Sequence, residues 1–121
     1  MKQFLIVDDS AVIRKVARRI LEGLALQVSE AECGEDAVEI CRTAMPDAIL
    51  LDAAMPTMDG FEALRAVRAL PGGDAPKIVL CTMENDIAQR ARARHAGADD
   101  YMMKPFDRTS MMNKLQDVGV L

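Results

Sequence analysis

The sequence predicts an α/β fold in which five parallel strands alternate with five helices that cover both faces of the sheet. Three observations point there. Short apolar runs, QFLIV, AILL and KIVLC, read as strands buried on both sides. Longer segments between them carry apolar residues at the helical period. Each run ends at Gly, Pro or a polar residue that punctuates the chain. Strictly alternating strands and helices imply helical crossovers, which are right-handed and leave few topologies open.

Taken in order, residues 3–7 form the first strand, which stops at Asp8 and Asp9. Ser10 can cap the helix that follows, whose apolar positions are 13, 16, 17, 20, 21 and 24, with Gly23 close to its end. Residues 26–31, LQVSEA, alternate apolar and polar as a half-exposed strand does. After the Gly34 turn, EDAVEICRTAM is a second helix with Ala37, Val38, Ile40, Cys41 and Ala44 inward, stopped by Pro46. AILLD, 48–52, is a buried strand that ends at an acid. AAMPTMDG is its loop, and Asp59-Gly60 reads as a tight turn opening the next helix rather than as a further metal ligand. FEALRAVRAL is a third helix with Phe61, Leu64, Val67 and Leu70 inward, closed by the loop PGGDAP. KIVLCT, 77–82, is a strand ending at Thr82, and a polar helix covers roughly 86–95 before Gly97. Residues 99–105 hold a short strand ending at Lys104-Pro105, entered through Asp99 and Asp100, which read as solvated. A last helix spans 107–119 with Met111, Met112, Leu115 and Val118 apolar. At 121 residues the chain suits one domain, and the flavodoxin-like arrangement, strand order 2-1-3-4-5, is the natural one at this length.

Composition narrows the function. Half the residues are hydrophobic, and with no Trp and few aromatics the core must be aliphatic, helped by nine Met. A net charge of −4 argues against nucleic acid as a partner. No apolar stretch is long enough to span a membrane, and the first apolar run is too short for a signal peptide, so a cytoplasmic protein is expected. Cys33, Cys41 and Cys81 form no C-x-x-C pair and read as plain thiols, and His95 reads as a surface residue. Arg90 and Arg94 share one face of the fourth helix, with Arg92 well round from them.

The chemistry gathers where the strands end. In a parallel sheet Asp8, Asp9, Asp52, Thr82 and Lys104 all open on the same edge. Two like charges about 4 Å apart repel by roughly 4 kcal/mol at an effective dielectric near 20, which a divalent cation relieves. An all-oxygen set without His or Cys suits Mg²⁺, with Mn²⁺ as the alternative. Ca²⁺ would call for a D-x-D-x-D-G loop that is absent. Mg²⁺ shares its shell readily with phosphate, and a Lys and a Thr beside it supply donors for phosphate oxygens. An acid nucleophile, a metal, a Lys and a hydroxyl together suit phosphoryl transfer through an aspartyl phosphate.

Asp8-Asp9, the stretch from Asp52 to Gly60, Thr82, and Tyr101-Met-Met-Lys104-Pro105 together resemble the response-regulator receiver domains of the CheY-like kind, over the whole chain. The resemblance implies a single-domain response regulator, 1–121, without an output domain. Asp52 would accept a phosphoryl group from a histidine kinase or phosphotransfer protein. Asp9, Asp52 and the backbone carbonyl of Ala54 would hold Mg²⁺, with Asp8 helping through water. Lys104 would pair with the phosphoryl group, Thr82 would swing in to bond it, and Tyr101 would turn inward behind Thr82. Lys104-Pro105 is expected to be a cis peptide that aims the Lys inward. A downstream protein would read the face made by the fourth helix, fifth strand and fifth helix.

The chain departs from the family's pattern at two positions that bear on phosphoryl lifetime. Ala54 offers no polar group to guide a water, and Met83 is bulky enough to narrow the way in and to hinder Tyr101. Glu84 beside it would bear on water access. Two rival readings are an aspartate-nucleophile phosphohydrolase, which usually has a second acid where Ala54 stands, and a pseudo-receiver that is never phosphorylated.

Overall fold

Apolar residues on both faces of a strand bury it only if both faces are covered, and that is how the sheet is built. The computed structural model describes residues 1–83 and 87–121. Its elements run β1 (Gln3–Val7), α1 (Ala11–Gly23), β2 (Gln27–Ala31), α2 (Gly34–Thr43), β3 (Ala48–Asp52), α3 (Gly60–Arg68), β4 (Lys77–Thr82), α4 (Ile87–Ala96), β5 (Asp100–Met103) and α5 (Arg108–Val118). All pairings are parallel and the order is β2-β1-β3-β4-β5, as predicted. The half-polar β2 lies at an edge, which accounts for its alternation.

The two-residue period of a strand splits the core into two layers. Leu5, Val7, Ile49, Leu51, Ile78 and Leu80 pack with residues of α2, α3 and α4. Phe4, Ile6, Ala48, Leu50, Val79 and Cys81 pack with residues of α1 and α5. The same alternation, carried one step beyond each apolar run, sorts the polar strand ends. Asp8, Asp52 and Lys104 continue the α1–α5 side, whereas Thr82 and Tyr101 continue the α4 side.

Caps hold the helices where the chemistry needs them. Ser10 Oγ accepts from the Ile13 amide and starts α1 just past the acidic pair. Asp59 makes a capping box with Glu62 at the start of α3, so it shapes the turn, as expected, and stands apart from the acid cluster. Gly60 does more than turn the chain. Its amide donates to Ala53 O at 2.9 Å, and a Cβ built on it would sit inside the van der Waals envelope of the Asp52 carbonyl oxygen. The glycine therefore lets α3 begin directly against the end of β3.

Two inward assignments and the reading of Asp99 and Asp100 as solvated need correction. Val16 is 42% exposed, because the buried stripe of α1 centres on Ala17 and Leu21 and one residue step turns a side chain by about 100°. Ala44 is exposed because α2 ends at Thr43, and Ala44 caps it with extended backbone. Asp99 is exposed but not merely solvated. Its carboxylate accepts from the Ile78 amide at 2.8 Å and from Arg68 at 3.0 Å, while Asp100 pairs with Lys114 at 3.1 Å. Arg68 also donates to the carbonyls of Gly97, Gly73 and Pro76, tying the end of α3 to the entries of β4 and β5.

Two outcomes follow from these contacts. Gly60→Ala should destabilise the protein by about 1–3 kcal/mol, the usual range for overpacking, read as a lower urea midpoint at unchanged slope. Arg68→Ala, which strips donors from three carbonyls and a carboxylate, should cost about 2–3 kcal/mol in the same titration.

Candidate functional site

The register brings the strand ends to one edge: Val7 lies beside Leu51 and Ala31, Asp52 beside Cys81, and Thr82 beside Met103. Asp8 and Asp52 therefore each emerge one residue beyond a fully apolar pair, and Asp9 follows Asp8. Asp8 and Asp52 are buried and Asp9 is exposed. One carboxylate oxygen from each lies within 4.8 Å of the others. Three oxygen donors at that spacing, without sulfur or imidazole, fit a small hard divalent cation.

Lys104 reaches into this cluster from the end of β5. Its ammonium lies 2.7 Å from Asp8 Oδ2 and 3.1 Å from Asp52 Oδ1, and its side chain is 13% exposed. The Lys104-Pro105 bond is cis, as expected. Around these charged side chains lies a cavity of about 490 Å³ whose walls are largely apolar: Ile13 from α1, Ala54 after β3, Met83 after β4 and Pro105 after β5. Met83 stands on the rim with 77% of its surface exposed. Glu84 lies outside the described residues. The Ala54 amide donates to Asp52 Oδ1 at 3.3 Å, so the loop backbone begins to enclose the acid.

The electrostatics follow from burial. Loss of water pushes the Asp52 carboxyl above its usual range and the neighbouring Asp8 adds to this, while Lys104 and the Ala54 amide pull the other way. Burial works against the Lys104 ammonium, but hydrogen bonds to Asp8 and Asp52 overcome it and hold its pKa above the ordinary lysine value. Beneath Asp52, burial pushes the Cys81 thiol up to about 12, and it pushes Cys41 to about 11. Both sulfurs are inert fillers, as the spacing suggested.

Thr82 is half-buried and borders both the ionic cavity and a smaller one lined by Phe61, Gln89 and Arg92. Tyr101 is buried, its hydroxyl donates to Met103 Sδ at 3.7 Å, and Arg90 lies over its ring at 5.5 Å. Arg92 instead covers Phe61 at 3.8 Å, so the arginines of α4 divide between two faces as their spacing required. Arg90, Arg94 and Lys114 border a cleft over Tyr101 on the α4–β5–α5 side.

One participant escaped the sequence reading. Arg14 donates to the backbone carbonyl of Asp8 at 2.6 Å and to Glu30 at 2.9 Å. A signal for it exists: positions 14, 17 and 21 share one helix stripe, and Ala17 and Leu21 are buried. A cation on an inward stripe needs internal partners.

Comparison with known proteins agrees with this geometry. Residues 4–116 match the response regulator receiver domain. The chain is 38% identical to the chemotaxis protein CheY of Halobacterium salinarum over 97% of its own length and 96% of that protein. It is 35% identical to the response regulator MprA of Mycolicibacterium vanbaalenii over 94% of its length, but spans only 48% of that longer relative. Among solved structures, chemotaxis protein CheY4 of Vibrio cholerae superimposes with a TM-score of 0.93 at 31% identity, covering 98% of both chains. The receiver domain of a sensor histidine kinase from Pseudomonas aeruginosa, solved with a magnesium ion in its active-site cleft, gives 0.88 at 32% identity over 98% of both chains. With a matched pattern running from the first strand into the last helix, this chain belongs to the response regulator receiver domain family, the signalling modules of two-component systems.

Proposed function

We propose that this receiver accepts a phosphoryl group on Asp52 from a phosphohistidine of a kinase or phosphotransfer protein, and that the modified form changes which protein binds its α4–β5–α5 face. The observation that carries this reading is one ammonium, Lys104, shared by Asp8 and Asp52 at the edge of a three-carboxylate cluster. A lysine held there stands ready to transfer its hydrogen bond from Asp52 to a phosphoryl oxygen on it.

In the transfer, a lone pair of the Asp52 carboxylate forms the new O–P bond as the P–N bond breaks. The electron pair of that bond stays on the imidazole. Lys104 would keep an anionic partner during the transfer, since its ammonium lies 2.7 Å from Asp8 as well as against Asp52. Asp9, Asp52 and the Ala54 carbonyl are the groups that would hold Mg²⁺, with Asp8 assisting through water. The ion supplies positive charge against the phosphoryl oxygens and relieves the repulsion among the acids. Mn²⁺ suits the same donors. Thr82 lies on the cavity wall from which its hydroxyl can reach a phosphoryl oxygen, and Tyr101 lies on the same layer of the sheet. A shift at Thr82 then biases the face around Tyr101, and a ligand moves such an equilibrium only by its differential affinity for the two states. Arg90 and Arg94 on that face favour a partner that brings acidic groups.

Ala54 gives no carboxyl for a general acid–base role, which weighs against a phosphohydrolase. Among the described residues no helix is long and apolar enough to cross a membrane.

Acetyl phosphate with Mg²⁺ should add one phosphoryl group to the intact protein, base-labile and absent in Asp52→Asn. Because Tyr101 is the one tyrosine and there is no Trp, beryllofluoride with Mg²⁺ should change the intrinsic fluorescence, again with Asp52→Asn silent. Failure of both in the wild type would leave the pseudo-receiver reading. A second outcome concerns stability. A carboxylate whose pKa is raised in the folded state favours folding at acid pH, and that contribution is lost as pH rises through the folded value. Above the folded value, ionised Asp52 therefore opposes folding, and Asp52→Asn in EDTA should raise the Tm. Millimolar Mg²⁺ should stabilise the wild type and narrow that gap.

A further inference from the structure

Arg14, on α1, is the group that joins the backbone of the acid cluster to Glu30 on β2. It sits on the inward stripe of that helix with a side chain only 15% exposed. Its Nη1 donates to the Asp8 carbonyl at 2.6 Å, and its Nε donates to Glu30 Oε1 at 2.9 Å. Glu30 is in turn bound by Arg18, at 2.7 Å.

The Asp8 carbonyl belongs to the same peptide unit as the Asp9 amide, so whatever fixes that oxygen fixes the plane from which the Asp9 side chain starts. Two other bonds act on this turn. The Asp8 amide donates to Ala31 O at 3.2 Å, and the Ser10 amide donates to Asp8 Oδ1 at 2.9 Å. Neither touches the peptide that follows Asp8. Arg14 does, through a bond from a charged donor, the stronger kind. Asp9 needs this because it is the exposed member of the cluster and makes no ion pair with Lys104.

We propose that Arg14 is a positioning residue for cation binding: it clamps the Asp8–Asp9 peptide against β2 through Glu30, so that Asp9 presents its carboxylate to the ion. The proposal rests on the metal-assisted reading of the site. It also has a direction that charge alone contradicts. If Arg14 acted only as a positive charge near a cation site, removing it would tighten Mg²⁺ binding. If it positions Asp9, removing it loosens Mg²⁺ binding, in the way outer-sphere partners of metal ligands commonly do, by about tenfold or more. Lys at position 14 would keep the charge but lose the planar fork that serves two acceptors at once. It should restore little.

Arg18 provides the control, since it binds Glu30 but makes no contact with Asp8. Arg14→Gln, Arg14→Lys, Arg18→Gln and the wild type would be titrated with Mg²⁺ alone, and followed by amide NMR. The Kd for Mg²⁺ should rise about tenfold in both Arg14 variants and stay within about twofold in Arg18→Gln. In EDTA, the Asp9 and Ser10 amide signals should shift, and exchange faster, in Arg14→Gln but not in Arg18→Gln. Tighter Mg²⁺ binding in Arg14→Gln, equal loss in Arg18→Gln, or Asp9 and Ser10 amides unchanged in EDTA would each overturn the proposal. A wild type that binds no Mg²⁺ would instead sink the metal-assisted reading, while the amide comparison in EDTA still decides whether Arg14 holds the peptide.

Discussion

Everything at this edge of the sheet is shaped by one electrostatic conflict: carboxylates brought within reach of one another where water is scarce. Parallel strands create it, because their carboxyl ends share an edge and the register leaves Asp8 and Asp52 one step beyond buried apolar pairs. A single lysine relieves part of it. Lys104 compensates Asp8 and Asp52, yet burial still holds Asp52 on the reluctant side of ionisation. Net negative charge remains, with Asp9 open to solvent. A cluster left this way suits a divalent cation better than one fully paired by the protein. Active sites often keep such unresolved charge.

The surrounding structure keeps that conflict from relaxing. Gly60 lets α3 begin against the Asp52 carbonyl, which leaves the loop after β3 little freedom to swing the acid away. Ser10 starts α1 immediately after the acidic pair, and Arg14, one turn further on, grips the pair's own backbone. Arg68 acts at the other end of the sheet, closing the entries to β4 and β5 so that Thr82 and Lys104 leave in fixed register. A rigid frame matters because positioned groups act without reorganising when charge develops.

Much of this was legible in the residues, and the exceptions share a cause. Apolar runs and helical periods are local signals, so the ten elements and their order could be read directly, as could the polar residue at each strand end. The capping role of Asp59 was legible for the same reason. Arg68 and Gly97, 29 positions apart, meet only in the folded chain, and nothing near either one announces it. Gly60 was read as a turn because its neighbour Asp59 is a turn former, whereas its need for a missing Cβ depends on how α3 lies against β3. Val16 and Ala44 were placed inward by a pattern that cannot say how wide a buried stripe is or at which residue a helix stops.

The alternation of β-strands also sets how the acid cluster is linked to the α4 side of the sheet. Asp8, Asp52 and Lys104 belong to the layer that packs on α1 and α5, whereas Thr82 and Tyr101 belong to the layer facing α4. Thr82 alone of the second set borders the ionic cavity, because it ends its strand and is half-buried. On the proposed reading, a group bonded to Asp52 would reach the α4 side through that hydroxyl or by displacing Lys104, whose backbone amide is bonded to Thr82 O at 2.8 Å. Both routes converge on the C-terminal ends of β4 and β5, two residues beyond the Leu80–Tyr101 pair over which Arg90 lies. The acid cluster and Tyr101 thus continue opposite layers of the sheet and are joined at its edge, where the β4 and β5 strands end.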